Sequence, residues 1–347
     1  ELPVRDMIRQ WFEVEGDPDG RLLAEHKRIN SKAKLADLFR WAWLYGGAIG
    51  VVGLDDGGSY EQTLRGEKLK TVSHIHIYDR HQLWWTTDDL YSDPDDPETG
   101  EFFGSPEFYT VTPYHGAVVD TATGSTQFRV HASRVLRVEG ATTPEFYRYS
   151  NLGWGDSKYQ AAYESVRAAT AAFGAIENLI ESFETATIKI SNLVDIVASG
   201  RDVELKKRLE ILDLGRHIIN TLLLAEGEEF SKQSSSVAGL AELLDRTVER
   251  ISIATGIPVT LLVGRAPAGL NATGASDIRF WYDNVKSLQT DELEPLLNKL
   301  HRWFMLAKSG PFGGKELKEC TLKFNPLWQP TELEIVDLRN KQAQTDA

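Results

Sequence analysis

The sequence predicts an α+β protein: a mixed body of helices and antiparallel strands that carries a protruding long helix and a small β excursion. Three observations predict it. Between Val72 and Val138, short alternating runs of apolar and polar residues are punctuated by Gly, Pro and Asp, as in antiparallel hairpins. From Ser157 the apolar period changes to three and four, the spacing of helices. From Gly274 to Ala307 one stripe (Ile278, Trp281, Val285, Leu288, Leu296, Leu300, Trp303, Ala307) persists, enough for a helix on the order of 50 Å long at 1.5 Å per residue.

Taken in order, Pro3 to Glu13 and Gly20 to Tyr45 read as helices, the second holding Leu22, Leu23, Leu35, Leu38, Phe39 and Trp43 and ended by Gly46-Gly47. Ala48 to Leu54 is a short strand. Further strands follow at Val72 to Tyr78, Gln82 to Thr86, Glu107 to Thr112, Ala117 to Asp120 and Gln127 to Val138. Asp88 to Glu101 carries seven acids and no base, and reads as a solvated loop. Helices are expected at Tyr159 to Ile190, Asp202 to Leu214 and Val237 to Thr255, with a strand at Asn220 to Leu224 and a Ser-rich turn at Ser231 to Ser236 between the last two. Pro295 removes a backbone hydrogen bond inside the long helix, so a kink or break is expected there. A glycine-rich excursion, Ser309 to Gly314, leads to a strand at Glu319 to Phe324. One short strand alone is unstable in water, so it needs a partner, most simply the same strand of a neighbouring copy. Thr331, with Glu334 three residues on, opens a last helix in the capping-box pattern.

Composition bounds the function. At 347 residues a single core is too large, and two or more packed units are expected. A net charge of −13 argues against a general grip on nucleic acid, which needs concentrated Lys and Arg. It is compatible with a channel through which DNA slides without sticking. The single Cys320 excludes an intrachain disulfide framework. The longest uncharged apolar run, Trp41 to Leu54, is 14 residues, too short to span a bilayer. Starting at Glu1 and stopping inside a helical pattern at Ala347, the chain reads as trimmed at both ends.

Candidate chemistry is sparse. Gly269 to Ser276 has phosphate-loop spacing, but Ala275 stands where the motif needs lysine, so no ammonium reaches a β- or γ-phosphate. His74 and His76 lie two apart on a predicted strand, on one face, with His81 close behind. That spacing could hold a metal, yet no Cys or Asp/Glu partner accompanies it, and structural histidines are the preferred reading. His131-Ala132-Ser133 is one half of a two-histidine phosphoesterase pattern with no second half. Asp93 to Asp96 lacks the glycine and glutamate of a calcium loop. Phe280, Trp281, Trp303 and Phe304 make the long helix apolar on more than one side, so it needs more than one packing neighbour. Copies of the chain could supply them. The competing reading is that the body folds over the helix.

Several segments resemble one family. Leu322-Lys323-Phe324-Asn325-Pro326-Leu327, followed by Thr331-Glu332-Leu333-Glu334, looks like a strand leading into an acid-starting helix of tailed-phage portal proteins. Ile251 to Pro258, with Leu261-Leu262 and Gly264, is similar to the family's Gly-Val/Ile-Pro turn, and His131 to Val138 to the strand before its wing helices. With Trp41 to Gly50 these matches span most of the chain. The resemblance implies a wing at 1–272, a first stem helix at 273–307, a clip at 308–330 and the start of a second stem helix at 331–347, with tunnel loop and crown absent. It implies a dodecameric ring at one capsid vertex of a virion, assembled in the host cytoplasm. Terminase, major capsid and scaffolding proteins and a head-completion adaptor would dock on it, and double-stranded DNA would pass through without sequence specificity. No bond is made or broken, and no cofactor, metal or membrane is involved. Stem contacts between subunits would fall on Ile278, Trp281, Val285, Leu288 and Trp303, and clip contacts with subunits or terminase on Phe312, Lys315, Leu322 and Phe324. The alternative is a phage phosphodiesterase or metal-dependent hydrolase using His74, His76 and His131; a third class is an oligomeric adaptor without a DNA channel.

Overall fold

The computed structural model describes the chain except for residues 18, 98, 115–126, 183–184, 190–202, 204–205, 208–209, 211–228, 234–238, 265–273, 318–319 and 329–347. Two compact units emerge, one made of Glu1–Tyr163 with Thr255–Ala347, the other of Glu164–Ala254.

The larger unit opens with helix α1 (Leu2–Arg9) and strand β1 (Phe12–Glu15). The expected helix to Glu13 stops early because Phe12 is drawn into the core as part of a strand pair. Helices α2 (Arg21–Arg28) and α3 (Ser31–Tyr45) replace the single expected helix, divided at Asn30, whose φ of 53° breaks the helical path. Asparagine is one of the few residues that visit this left-handed region readily. Gly46 closes α3 at φ 93°; a Cβ there would meet the Gly155 carbonyl at 2.3 Å.

Strand β2 (Gly47–Asp55) lies between β3 (Thr71–Asp79) and β7 (Val135–Glu139), antiparallel to both. A second sheet joins β4 (Leu83–Trp84), β5 (Phe108–Val111) and β6 (Phe128–His131). Alternation along β2 feeds two cores. Ala48, Val52 and Leu54 belong to the cluster that includes α1, α3 and the C-terminal helices, while Ile49 and Val51 join Leu83, Tyr109, Val111, Val130 and Trp154. Burial on both faces explains its unbroken apolar run.

Gln127 to Val138, expected as one strand, is two. A 3-10 turn at Ala132–Arg134 divides β6 from β7, turning Arg134 inward to a buried pair with Asp56. A short helix α4 (Glu145–Ser150) that the sequence reading missed follows. In the C-terminal part, α7 (Val259–Val263), α8 (Ala275–Leu288) and α9 (Glu294–Leu306) precede β10 (Thr321–Phe324); α8 and α9 are joined through a π-helical turn, Gln289–Leu293. Pro295 sits in the first turn of α9, where its missing N–H costs little, and the widened turn before it absorbs the expected break.

The smaller unit contains most of α5 (Gln160–Ser182), the antiparallel pair β8 (Thr185–Lys189) and β9 (Glu229–Gln233), and α6 (Leu240–Thr255) up to Ala254. Helix α5 stops short of the expected Ile190 and gives way to β8. Strand β9 begins where a Ser-rich turn was expected, because pairing with β8 outweighs a polar composition. The strand at Ala117 to Asp120, most of the helix at Asp202 to Leu214, the strand at Asn220 to Leu224 and the helix from Thr331 lie outside the described residues.

Two buried histidines link α2 to α9. His26 and His301 meet Nε2 to Nε2 at 2.8 Å, each about 2% exposed. Ser31 Oγ donates to the His26 carbonyl (3.3 Å), so its oxygen accepts the His26 Nδ1–H at 2.6 Å. His26 Nε2 then accepts from His301 Nε2–H, leaving His301 Nδ1 buried with no hydrogen-bond partner among the described residues. Burial holds both imidazoles below the ordinary value, His301 at about 4 although Asp17 opposes the shift. The unfolded chain therefore takes up protons first, and the stability due to neutral histidines is complete above about pH 6.5 and lost as pH falls toward 4. His301→Phe is expected to flatten this limb of a urea-denaturation pH series; an unchanged slope between pH 6.5 and 4 would exclude the pair as its source.

Candidate functional site

The long helix expected at a subunit interface is buried within its own chain. Trp281 is 4% exposed, and its indole N–H donates to Asp6 Oδ2 at 2.9 Å. Val285 and Trp303 are buried, Leu288 packs half-buried against the same core, and Ile278 is half-buried. Gln289 Nε2 donates to the Met7 carbonyl at 2.8 Å, and Glu292 accepts from the Trp43 indole N–H at 3.1 Å and from Lys158. This corrects the expectation of a protruding stalk covered by copies of the chain. Within the chain α1 packs on α8, and α2 and β3 pack on α9, while Phe280 of α8 stays 63% exposed.

The expected clip strand is corrected in the same way. Strand β10 pairs antiparallel with β1, placing Phe324 opposite Phe12 and Leu322 opposite Val14, so its edge partner comes from within the chain. Phe312 is buried with the Arg21 guanidinium 4.6 Å from its ring, and Lys315 is exposed.

The histidines of the enzymatic alternative are not brought together as a set. His131 is buried on β6, its Nδ1 2.8 Å from Ser133 Oγ and its Nε2 3.2 Å from Thr63 Oγ1 and 3.4 Å from Glu107. Burial lowers its basicity, with Glu107 opposing. His74 and His76 stand on β3, in the other sheet, with ring centroids 4.5 Å apart. Among the described residues no group of three or more His, Cys, Asp or Glu is arranged to hold a metal ion. No described helix is long and apolar enough to cross a membrane. Most of the phosphate-loop-like segment, 269–273, lies outside the described residues; Gly274 enters α8 at φ 65°.

The smaller unit presents the opposite picture. α6, 16 residues long, has no fully buried side chain, and Leu243 and Ile253 are 54% and 84% exposed. On α5, Val166 and Phe173 are also exposed. An isolated helix of this length is marginal in water, and most helical stability comes from packing an apolar face. These side chains were not singled out from the sequence. The signal was there, in a 23-residue helix rich in Ala with Val166, Phe173, Ile176 and Leu179 spread round it.

A family model described as phage portal protein matches residues 1–347. Two curated relatives, both named Anti-CBASS protein Acb1, come from Caulobacter sp. (strain RHG1) and Sphingomonas paeninsulae. They are 30% and 27% identical, over 97% and 99% of this chain and 53% and 54% of theirs. The chain thus spans about half the length of these relatives. Among solved structures, a chain from the neck of a native gene transfer agent particle, computed with C12 symmetry, superposes with a TM-score of 0.56 at 16% identity. That match covers 100% of this chain and 83% of the other, and at such identity it speaks for the fold. Both units fall inside the one family match, and the chain belongs to the phage portal protein family.

Proposed function

We propose that the chain forms a closed ring at a capsid vertex, and that the smaller unit, Glu164–Ala254, supplies the stem and clip. One observation carries this reading: α6 buries no side chain fully within its own chain, while Val166 and Phe173 of α5 are left to solvent. In a ring, the next copy covers them. The order long helix, β pair, returning helix, first sought at 273–347, recurs at Gln160–Thr255. Twelve copies are the expected number, following the C12 symmetry of the gene transfer agent neck. Double-stranded DNA passes through the ring without sequence readout, and the net charge of −13 keeps it from adhering. Terminase and then a head-completion adaptor dock at the clip end, and major capsid and scaffolding proteins contact the larger unit. The role is structural, exercised in the virion after assembly in the host cytoplasm. We assign no anti-CBASS activity to these residues, since that name belongs to chains about twice as long.

Light scattering and negative-stain imaging test the reading. The expected mass is about twelve times the 38.9 kDa of one chain, with a central hole. Val166→Asp with Ile253→Asp should give monomers whose larger unit melts as before. A monomeric parent chain, or rings that survive both substitutions, would overturn it.

A further inference from the structure

The face of β3 around His74 is built in a way that the portal role does not use. Residues two apart on a strand share a face, and here His74 and His76 are side by side with ring centroids 4.5 Å apart. Ser73 Oγ donates to the Gly53 carbonyl at 3.0 Å, so its oxygen accepts the His74 Nδ1–H at 2.8 Å. That hydrogen bond selects the Nδ1–H tautomer and leaves Nε2 as the lone-pair nitrogen. A ring N–H tied back to a fixed acceptor, with the other nitrogen free to ligate, is how metal-binding imidazoles are oriented. The backbone makes room for it. The β2–β3 register shifts between Val52 and Leu54, and a Cβ on Gly53 would lie 2.3 Å from Ser73 Oγ and 2.5 Å from His74 Cε1.

We propose that His74 and His76 form a two-imidazole site for a borderline transition-metal cation such as Zn²⁺ or Ni²⁺, oriented by Ser73. Imidazole nitrogen suits these ions, and water fills the remaining positions. His131 takes no part, being buried in the other sheet. The positive charge of Lys34, close enough to act on His76, opposes a cation and limits the affinity.

The test is calorimetric titration of the full, metal-stripped chain with Zn²⁺ alone. One ion per chain is expected, lost in His74→Ala and in His76→Ala and retained in His81→Gln. Ser73→Ala should weaken binding about tenfold or more, and Lys34→Gln should strengthen it. Circular dichroism of each variant checks that the fold is intact. No Zn²⁺ uptake by the parent chain, or uptake unaltered in both histidine variants, would overturn the site. Parent-like affinity in Ser73→Ala would remove the orienting role.

Discussion

Trp281→Ala is expected to lower the stability of the larger unit by about 3–5 kcal/mol, the usual cost of truncating a buried Trp to Ala. Trp281 lies in the core shared by α1, α3 and α9, so the cavity opens between elements from both ends of the chain. The substitution also removes the indole N–H that reaches Asp6 at 2.9 Å. The Asp6 carboxylate stays buried, with Arg5 and Arg9 near it at 3.7 and 3.9 Å. Trp281→Phe separates the two losses, keeping most of the volume and giving up the hydrogen bond, at about 1–3 kcal/mol. Urea denaturation measures the stability and light scattering the assembly. A variant that melts like the parent but no longer forms rings would place Trp281 at the subunit interface after all.

That prediction turns on how far a sequence shows its own partners. Apolar residues on more than one side of a helix do report more than one packing neighbour, and this held for Trp281, Trp303 and Phe304 but not for Phe280, which is exposed. The pattern is silent on whether the neighbours belong to the same chain. For residues 275–306 they are α1, α2 and α3, brought close by β1 pairing with β10 across some 300 residues of sequence. On α5 and α6, Val166, Phe173, Leu243 and Ile253 are left exposed, yet the one-dimensional pattern of these helices looked ordinary. Strands β2, β3 and β5 were legible because alternation and turn residues are local. The division of α2 from α3 at Asn30, and of β6 from β7 at Arg134, was not, since asparagine permits a left-handed turn without dictating one and a buried arginine takes its place from tertiary contacts. The spacing of His74 and His76 was visible in the sequence. The Ser73 hydrogen bond that selects a tautomer was not, because it depends on a carbonyl of the adjacent strand.

Arg134→Met is expected to cost about 3–5 kcal/mol at neutral pH, because it takes from a buried carboxylate its closest counter-charge, leaving only the more distant Arg65 among the described residues. Arg134 and Asp56 are 1% and 3% exposed, and one guanidinium nitrogen reaches both carboxylate oxygens at 2.8 and 2.9 Å. Arg134 also donates to the Gln62 and Leu54 carbonyls, while Asp56 accepts from the Arg65 and Gly58 amides. Burial raises the pKa of Asp56, but these hydrogen bonds and the arginine outweigh it and hold the group well below the ordinary carboxylate range. The folded state thus binds this proton later than the unfolded one. Its contribution is complete above an ordinary carboxylate value of about 3.9 and is lost as pH falls through the folded value. In Arg134→Met the arginine's share of this effect is lost while the Arg65 and Gly58 amides and the Arg65 Nε at 3.7 Å remain, so the folded pKa moves back up and the deficit shrinks as the solution is acidified. Adding Asp56→Leu should recover only part of the loss, because the Gln62 and Leu54 carbonyls and the Arg65 and Gly58 amides still lack their side-chain partners. Urea denaturation of parent, single and double variants between pH 3 and 8 checks this. A deficit independent of pH would mean that packing around Arg134, rather than the uncompensated charge of Asp56, sets the cost.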